Sequence, residues 1–258
     1  MNGGEVNSGP MNSGKDQPPP PPRFPGGTAV SRLRVYDWES ADGLCGGSPH
    51  LHTVSSEAYV VTAGTGAVHT ISMAGIQQHV LAAGSLVWFS PGTVHRLVNT
   101  DGLTLNVIMS NAGLPEAGDA VLTFPRRILQ DPDLYAAHAA LPRDAKESEV
   151  AAAARRRRDL ALEGYAELHT SVLRDGTPAL AEFHRAAARL VRPRVGHWKE
   201  LWSANVQSQV KATEQALREL ADGSAASLAG AAVASAEQRP GEGFGMCGRL
   251  TTWEDSRL

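Results

Sequence analysis

Cysteine is scarce: only Cys45 and Cys247 occur in 258 residues. Two thiols cannot build a disulfide framework, and their separation is not that of a CxxC metal pair. Long apolar runs are also missing. No stretch approaches the roughly 18 apolar residues that span a bilayer, and the opening MNGGEVNSGPMNSGKDQ lacks the basic-then-apolar profile of a secretory signal. A cytoplasmic protein with no membrane partner is expected. Neither sign of charge is in excess, because 24 Lys plus Arg stand against 27 Asp plus Glu for a formal net charge of −3. Bulk electrostatics therefore offers a polyanion nothing, and nucleic acid is not an expected partner. There is no GxSxG elbow, no Walker loop and no GxGxxG leading into a helix. Gly241-Glu242-Gly243-Phe244-Gly245 lies in the tail without a preceding strand.

What is present is the composition of a globular protein, with 42% hydrophobic and 20% charged residues. Residues 1–27 hold seven of the 16 prolines, including the run Pro18 to Pro22, and are expected to be a disordered Pro/Gly-rich tail. From 28 to 125 the apolar pattern has period two and is broken often by Gly and Pro, which predicts a small antiparallel β-domain. Candidate strands are Leu33–Trp38, His50–Val54, Glu57–Ala63, Ala67–Met73, Gln77–Ala82, Leu86–Phe89, His95–Asn99, Leu103–Met109 and Val121–Phe124. The turn chemistry at Ala63–Gly66, Ala74-Gly75, Ala83-Gly84, Pro91-Gly92 and Asp101-Gly102 predicts hairpin reversals between them. So many short strands in this space favour a barrel or jelly roll.

Past Pro125 the texture turns to Ala, Arg, Glu and Leu at helical spacing. Helices are predicted near 132–141, 145–173, 178–191 and 196–221, with start signals at Asp131-Pro132 and Thr177-Pro178. The helical extension is thus 126–222. Residues 223–258 are expected to be a flexible or loosely docked tail, in which Phe244, Met246, Leu250 and Trp253 supply apolar surface for docking onto the fold or a partner. The run Arg155 to Arg158 encircles its helix and is read as a solvated face with ion pairs to Asp159 and Glu163. Cys45, just before the histidine cluster described next, is read as a small buried hydrophobe.

The strongest chemical signal is His50-Leu51-His52, then Glu57, then His95. Residues i and i+2 of a strand face the same way, so His50 and His52 project together, and Glu57 opens the next strand after a short loop. Three imidazoles and a carboxylate are donors suited to a divalent ion, whether Fe, Mn, Ni, Co, Cu or Zn. A lone histidine is ordinarily a satisfied polar residue. The joint spacing sets these apart.

These residues resemble the cupin superfamily, whose motifs are G(X)5HXH(X)3,4E(X)6G and G(X)5PXG(X)2H(X)3N. His50, His52, Glu57 and Gly64 fit the first motif, with its leading glycine displaced by one residue to Gly43. The second reads Gly84, Ser90, Gly92, His95 and Asn99, with Ser90 in place of the first proline. Both departures fall in turns. The resemblance covers roughly residues 32–124. It implies a mainly β fold, the double-stranded β-helix or cupin jelly-roll barrel, followed here by an α-helical C-terminal extension. It also implies one metal ion held by His50, His52, Glu57 and His95.

Tyr59 and Val61 share parity with Glu57, and Leu97 shares it with His95, so these three are the candidate substrate-pocket residues. His69, His79, Gln77, Gln78 and Trp88 lie on neighbouring strands, facing either cavity or solvent. Asn99 is read as fixing a turn or strand end. Arg96 is the only basic residue among 57–109 apart from histidine, which argues against a phosphorylated sugar as ligand. The expected function is a metal-dependent enzyme on a small organic molecule, with a dioxygenase ahead of an isomerase or lyase. The alternative is a non-catalytic ligand-binding or sensing barrel whose helices contact a partner. The apolar helices suit a homodimer.

Overall fold

The structure, a computed structural model, describes residues 22–254. Of the proline-rich tail, residues 1–21 lie outside the described residues, and Pro25–Gly27 form a single 3-10 turn leading into the first strand. Eight strands follow: β1 (Ala29–Val35), β2 (Cys45–Gly46), β3 (His50–His52), β4 (Glu57–Ser72), β5 (Gly75–Ala82), β6 (Leu86–Phe89), β7 (Val94–Met109) and β8 (Ala120–Leu122). Pairing between them is antiparallel.

Two of the expected hairpins do not exist. β4 and β7 are single strands of 16 residues each, paired with one another along their length. The glycines read as turns sit instead at irregularities in that ladder, where the register shifts between Val61 and Ala63 and between Thr65 and Gly66. Gly64 has φ 73°, and a Cβ there would lie 2.3 Å from the Asp101 carbonyl oxygen. Positive φ serves a bulge as well as a reversal, and only the tertiary pairing chooses between them. The bends let one strand serve two neighbours. The first part of β4 pairs with β6 and its later part with β5, while β7 pairs with β3 and β2 early and with β1 late. Asn99 holds the bend in β7 as expected: its side-chain amide donates to the Val35 carbonyl at 3.1 Å, and its oxygen accepts from the Leu103 N–H at 2.9 Å.

The helices are α1 (Arg126–Leu129), α2 (Pro132–Ala139), α3 (Glu147–Asp175), α4 (Thr177–Val191), α5 (Val195–Trp202) and α6 (Ser208–Ala221). α1 is a single turn, too short for periodicity to betray. Asp131 caps α2 as its sequence predicts, accepting from the N–H groups of Asp133 and Leu134 at 3.0 Å each. The cap of α4 is Gly176, at φ 71°, with Thr177 already the first helical residue. α5 and α6 run on through a π-helical turn at Ser203–Gln207, so the single helix expected over 196–221 carries one irregularity.

Helices and barrel share a core. Leu51, Ile71, Val94, Leu122 and Phe124 from outside the barrel pack with Tyr165, Leu180, Phe183 and Trp198 of α3, α4 and α5, while Tyr59, Val61, Val68, Leu97, Leu103 and Leu105 fill the barrel itself. The approach of α3 is closest at Gly164, where a Cβ would meet the Thr123 carbonyl oxygen at 2.1 Å. The Thr123 hydroxyl also donates to the Ala161 carbonyl at 2.8 Å.

Two expectations about the rest of the chain hold only in part. Only half of the arginine run is a solvated face: Arg155 and Arg156 are exposed, and Arg158 pairs with Asp159 at 2.7 Å as expected, but Arg157 and Arg158 are buried. Arg158 is wholly buried, its guanidinium donating to the carbonyls of Trp38 at 2.5 Å and Glu39 at 3.1 Å. Arg157 donates to the Gly245 carbonyl at 2.8 Å, and Arg155 lies over the Trp38 ring at 5.0 Å. A continuous run encircles its helix, so part of it must face inward, and carbonyls with no helix or sheet partner receive it there. Nor is all of the tail loose: residues 223–242 are mostly exposed and irregular, but the segment that follows docks. It forms β9 (Gly243–Phe244) and β10 (Gly248–Thr251), with β10 antiparallel to β1 so that Leu250 lies opposite Leu33. The apolar side chains noted in the sequence dock on the fold because the free edge of β1 accepts a strand. Residues 255–258 lie outside the described residues.

Gly245 receives a second donor, the Tyr36 hydroxyl, at 3.0 Å. Burial raises the Tyr36 pKa from its ordinary 10 to about 12, against the pull of nearby arginines. The folded chain therefore keeps the phenol proton where the unfolded chain loses it. This contribution to stability is whole below pH 10 and declines as the pH climbs towards 12. Limited proteolysis of the tail should accelerate over that range, and the acceleration should be smaller in Tyr36→Phe. Separately, Gly164→Ala should lower stability by about 1–3 kcal/mol, read as a fall in thermal midpoint, because backbone rather than a flexible side chain occupies the space the new methyl needs.

Candidate metal centre

His50 and His52 stand two residues apart on β3, while Leu51 between them turns outward into the helical core. His95 enters from β7 directly opposite His50, and Glu57 opens β4 beside them. All four are buried, and one donor atom from each lies within 4.8 Å of the others. The structure thus brings together all four residues expected as ligands. The His95 Nε2 is 3.1 Å from the His50 Nε2 and 3.0 Å from the Glu57 Oε2, and the His52 Nε2 is 3.4 Å from that same oxygen.

The outer nitrogen of each ring has a partner. His50 Nδ1 donates to the Ser48 carbonyl at 2.9 Å, and His95 Nδ1 to the Thr93 carbonyl at 3.1 Å. His52 Nδ1 donates to the Asp119 carboxylate at 2.7 Å. Carbonyl and carboxylate oxygens can only accept, so each Nδ1 carries a hydrogen, and each Nε2 is the nitrogen left to face the centre. Two bare nitrogens 3.1 Å apart repel unless a proton or a cation lies between them. Donors held about 2.1 Å from one ion lie about 3.0–3.4 Å apart at octahedral or tetrahedral angles, which is the spacing of the His50–His95, His95–Glu57 and His52–Glu57 pairs. The donor set therefore fits a divalent ion.

Charge in the cluster follows the same logic. Burial, and then the facing imidazoles of His95 and His52, press the His50 pKa well below its ordinary value. Burial acts upward on the Glu57 carboxyl, but the imidazoles of His95 and His52 outweigh it and hold the group well below the usual carboxylate range. For His52, burial acts downward and is outweighed by the carboxylates of Asp119 and Glu57, which hold its pKa up at about 10. A proton on His52 thus reconciles the two carboxylates in the metal-free cluster. A bound ion would take its place.

Asp119 escaped the sequence reading. It is fully buried just before β8, and besides orienting His52 its second oxygen accepts from the Ser55 N–H at 3.0 Å. One carboxylate thereby ties the loop between two ligands to the ring of one of them. The only trace in sequence is an Asp beside Gly118 ahead of a predicted strand, and no spacing links it to His52, 67 residues away.

A cavity of about 650 Å³ opens beside the cluster, with His50, His52 and Glu57 on its inner end. His95 lies fully buried behind them. The pocket residues read from parity are not on its walls. Val61 and Leu97 are packed inside the barrel, and Tyr59 stacks edge-on with Phe89 and His95. Inward parity was right, but the narrow interior is filled by side chains there, and the cavity opens at the other end, against β1 and the tail. Cys45 pairs across to Asn99, whereas Cys247 is buried with its Sγ 4.0 Å from His50 Nδ1. Gln77, Gln78, His79 and Trp88 are exposed, and Arg96 is paired with Asp42 at 2.5 Å on the outside of the barrel.

Asp119→Asn should keep the fold and weaken divalent-metal binding about 10- to 100-fold, as loss of a partner that orients a ligating histidine does. A chelator-competition titration with Co(II) reads this directly.

No helix among the described residues is long and apolar enough to cross a membrane. No curated protein matches the chain closely enough to count as a relative. Among solved structures, similar chains include Streptomyces PAC13, described as a nucleoside dehydratase, at 18% identity over 38% of this chain and 70% of that one with a TM-score of 0.29. Others are a cupin protein from Bacteroides fragilis, at 18% identity over 33% and 65% with a TM-score of 0.25, and the WlaRB TDP-quinovose 3,4-ketoisomerase of Campylobacter jejuni, at 13% over 31% and 60% with a TM-score of 0.28. The model of the cupin domain matches residues 38–110, which hold all four candidate ligands. With His50, His52, Glu57 and His95 of the two motifs gathered on an antiparallel barrel, this stretch of the chain is a cupin domain.

Proposed function

We propose that this chain is a metal-dependent enzyme acting on a small organic molecule, with one divalent ion held by His50, His52, Glu57 and His95. The observation that carries the reading is the convergence of four donors, each supported from behind, at the inner end of a cavity large enough for such a molecule. A bound ion supplies a Lewis acid for a substrate oxygen and, if it is iron, a centre for dioxygen. The chain contributes orientation and exclusion of water. Backbone carbonyls fix His50 and His95, Asp119 fixes His52, and the apolar side chains of Leu33, Val107 and Met109 line the approach.

Among the described residues, the cavity offers few groups to move a proton. Burial pushes the Cys247 thiol well above its ordinary pKa, so it is a poor base at neutral pH. Glu116 and Arg239 are exposed members of the lining. A reaction that depends on a separate protein base, such as isomerisation or elimination, is therefore less well served than oxidation by dioxygen. One observation supports the alternative of a sensing module. Leu51, between two ligands, is buried in the helical core, so a shift of β3 on ligand binding would be felt by α3 and α4.

Elemental analysis of anaerobically purified protein beside His52→Ala tests the reading. Near-stoichiometric iron that is lost in the variant, followed by substrate-dependent oxygen uptake in the native protein alone, is the expected result. Zinc, nickel or manganese would move the assignment to an isomerase or lyase, and no metal in either protein would overturn the enzyme reading.

A further inference from the structure

The wall of the cavity opposite β7 is built by the C-terminal tail. Met246, Cys247, Leu250 and Trp253 all line it, facing Leu33, Val107 and Met109 from the barrel. None of the tail residues belongs to residues 38–110, the stretch matched by the cupin domain. The tail is held in place from several directions. Ser48 N–H donates to the Met246 carbonyl at 2.9 Å and Tyr36 N–H to that of Cys247 at 3.1 Å. Arg157 and Tyr36 converge on the carbonyl of Gly245 at 2.8 and 3.0 Å. At the far end Arg239 N–H donates to the Thr252 carbonyl at 2.8 Å, and its Nε to that of Trp253 at 3.0 Å, which sets the indole at the edge of the cavity.

The chemistry of the lining is divided. The imidazoles and the carboxylate lie at the inner end, and beyond them the walls are mostly aliphatic, sulfur-containing or aromatic, with the hydroxyl residues Ser31 and Thr252 among them. Charge in the lining away from the four donors is limited to one residue of each sign, Glu116 and Arg239, both exposed. A charged ligand body would lose its hydration against Leu33, Met246 and Leu250 and find opposite charge only at the exposed Glu116 and Arg239, whereas an apolar body would cover the same walls favourably.

We propose that the C-terminal tail is the ligand-recognising wall of the metal cavity. The ligand it selects is an amphipathic organic molecule with an oxygen-donor head for the metal end and an uncharged apolar body lying against Met246, Leu250 and Trp253. The assignment of the head rests on the metal reading above, and that of the body on the tail alone.

The test uses the full chain and two kinds of probe. Acetohydroxamate and octanohydroxamate share a metal-binding head and differ in apolar body, and 1-aminoanthracene is an uncharged apolar fluorophore that needs no metal. With Co(II)-loaded protein, calorimetry should show octanohydroxamate binding at least tenfold more tightly than acetohydroxamate. Leu250→Ser and Trp253→Ala should each shrink that ratio severalfold while leaving Co(II) content and acetohydroxamate affinity unchanged. 1-Aminoanthracene should bind the metal-free chain and lose affinity in the same variants. Equal affinity for the two hydroxamates, or a ratio and a fluorophore affinity that neither variant moves, would overturn the role of the tail. Failure to take up Co(II) with fluorophore binding intact and sensitive to both variants would overturn the metal reading and leave the wall standing.

Discussion

Three imidazole nitrogens and a carboxylate oxygen aimed at one point, inside a protein and away from water, form an arrangement that only positive charge makes tolerable. Much of the surrounding structure serves to hold it. The hydrogen on each outer ring nitrogen is committed to a fixed acceptor, two of them backbone carbonyls of the strand ends and one the buried carboxylate of Asp119. Rings held in this way cannot turn aside to relieve the repulsion between their inner nitrogens. The barrel gains nothing from such a cluster as packing, since an apolar set of equal volume would fill the space without the cost of burying charge.

The helices and the tail belong to the same device. α3 lies on the barrel with backbone in contact at Gly164, and from that platform Arg158 secures the segment before β2 while Arg157 secures the turn before β10. Arg158 also pairs with Asp159 at 2.7 Å, whereas Arg157 is received by backbone carbonyls alone, which is how its guanidinium can be buried without a carboxylate beside it. Through these contacts a segment nearly 200 residues downstream of the first histidine reaches the inner wall of the cavity, and Cys247 comes to lie beside the ring of His50. The barrel supplies the four candidate donors, and the part of the chain outside it supplies much of the cavity wall beside them.

The four ligands were legible because strand periodicity and motif spacing are local. Two histidines at i and i+2 must share a face, and glycines at fixed intervals mark the loops that return the next strands to them. The start of α2 at Asp131-Pro132 was legible for the same reason, since a cap is decided within one turn of helix. Gly64 and Gly102 were misread as reversals because a glycine declares only that the backbone can adopt positive φ, and whether a turn or a bulge uses it depends on the partner strand. Arg157 and Arg158 were misread because helical periodicity does not say which side of a polar helix meets unsatisfied carbonyls. Tyr59, Val61 and Leu97 were assigned the correct face but the wrong surroundings, since parity separates inside from outside without telling a filled interior from an open cavity.

By itself, then, the sequence determined the barrel class, the helical remainder, the four residues that could hold a metal and the absence of any long apolar run, all through patterns spanning a few residues. Only the tertiary structure decided that Asp119 backs His52, that the tail becomes a strand, and that this strand walls the cavity. Those outcomes bring together residues 67 to about 200 positions apart in the chain, such as Asp119 with His52 and Cys247 with His50. No local pattern encodes such meetings, because they arise only when the free edge of β1 and the buried face of α3 have formed and their unpaired backbone groups require partners.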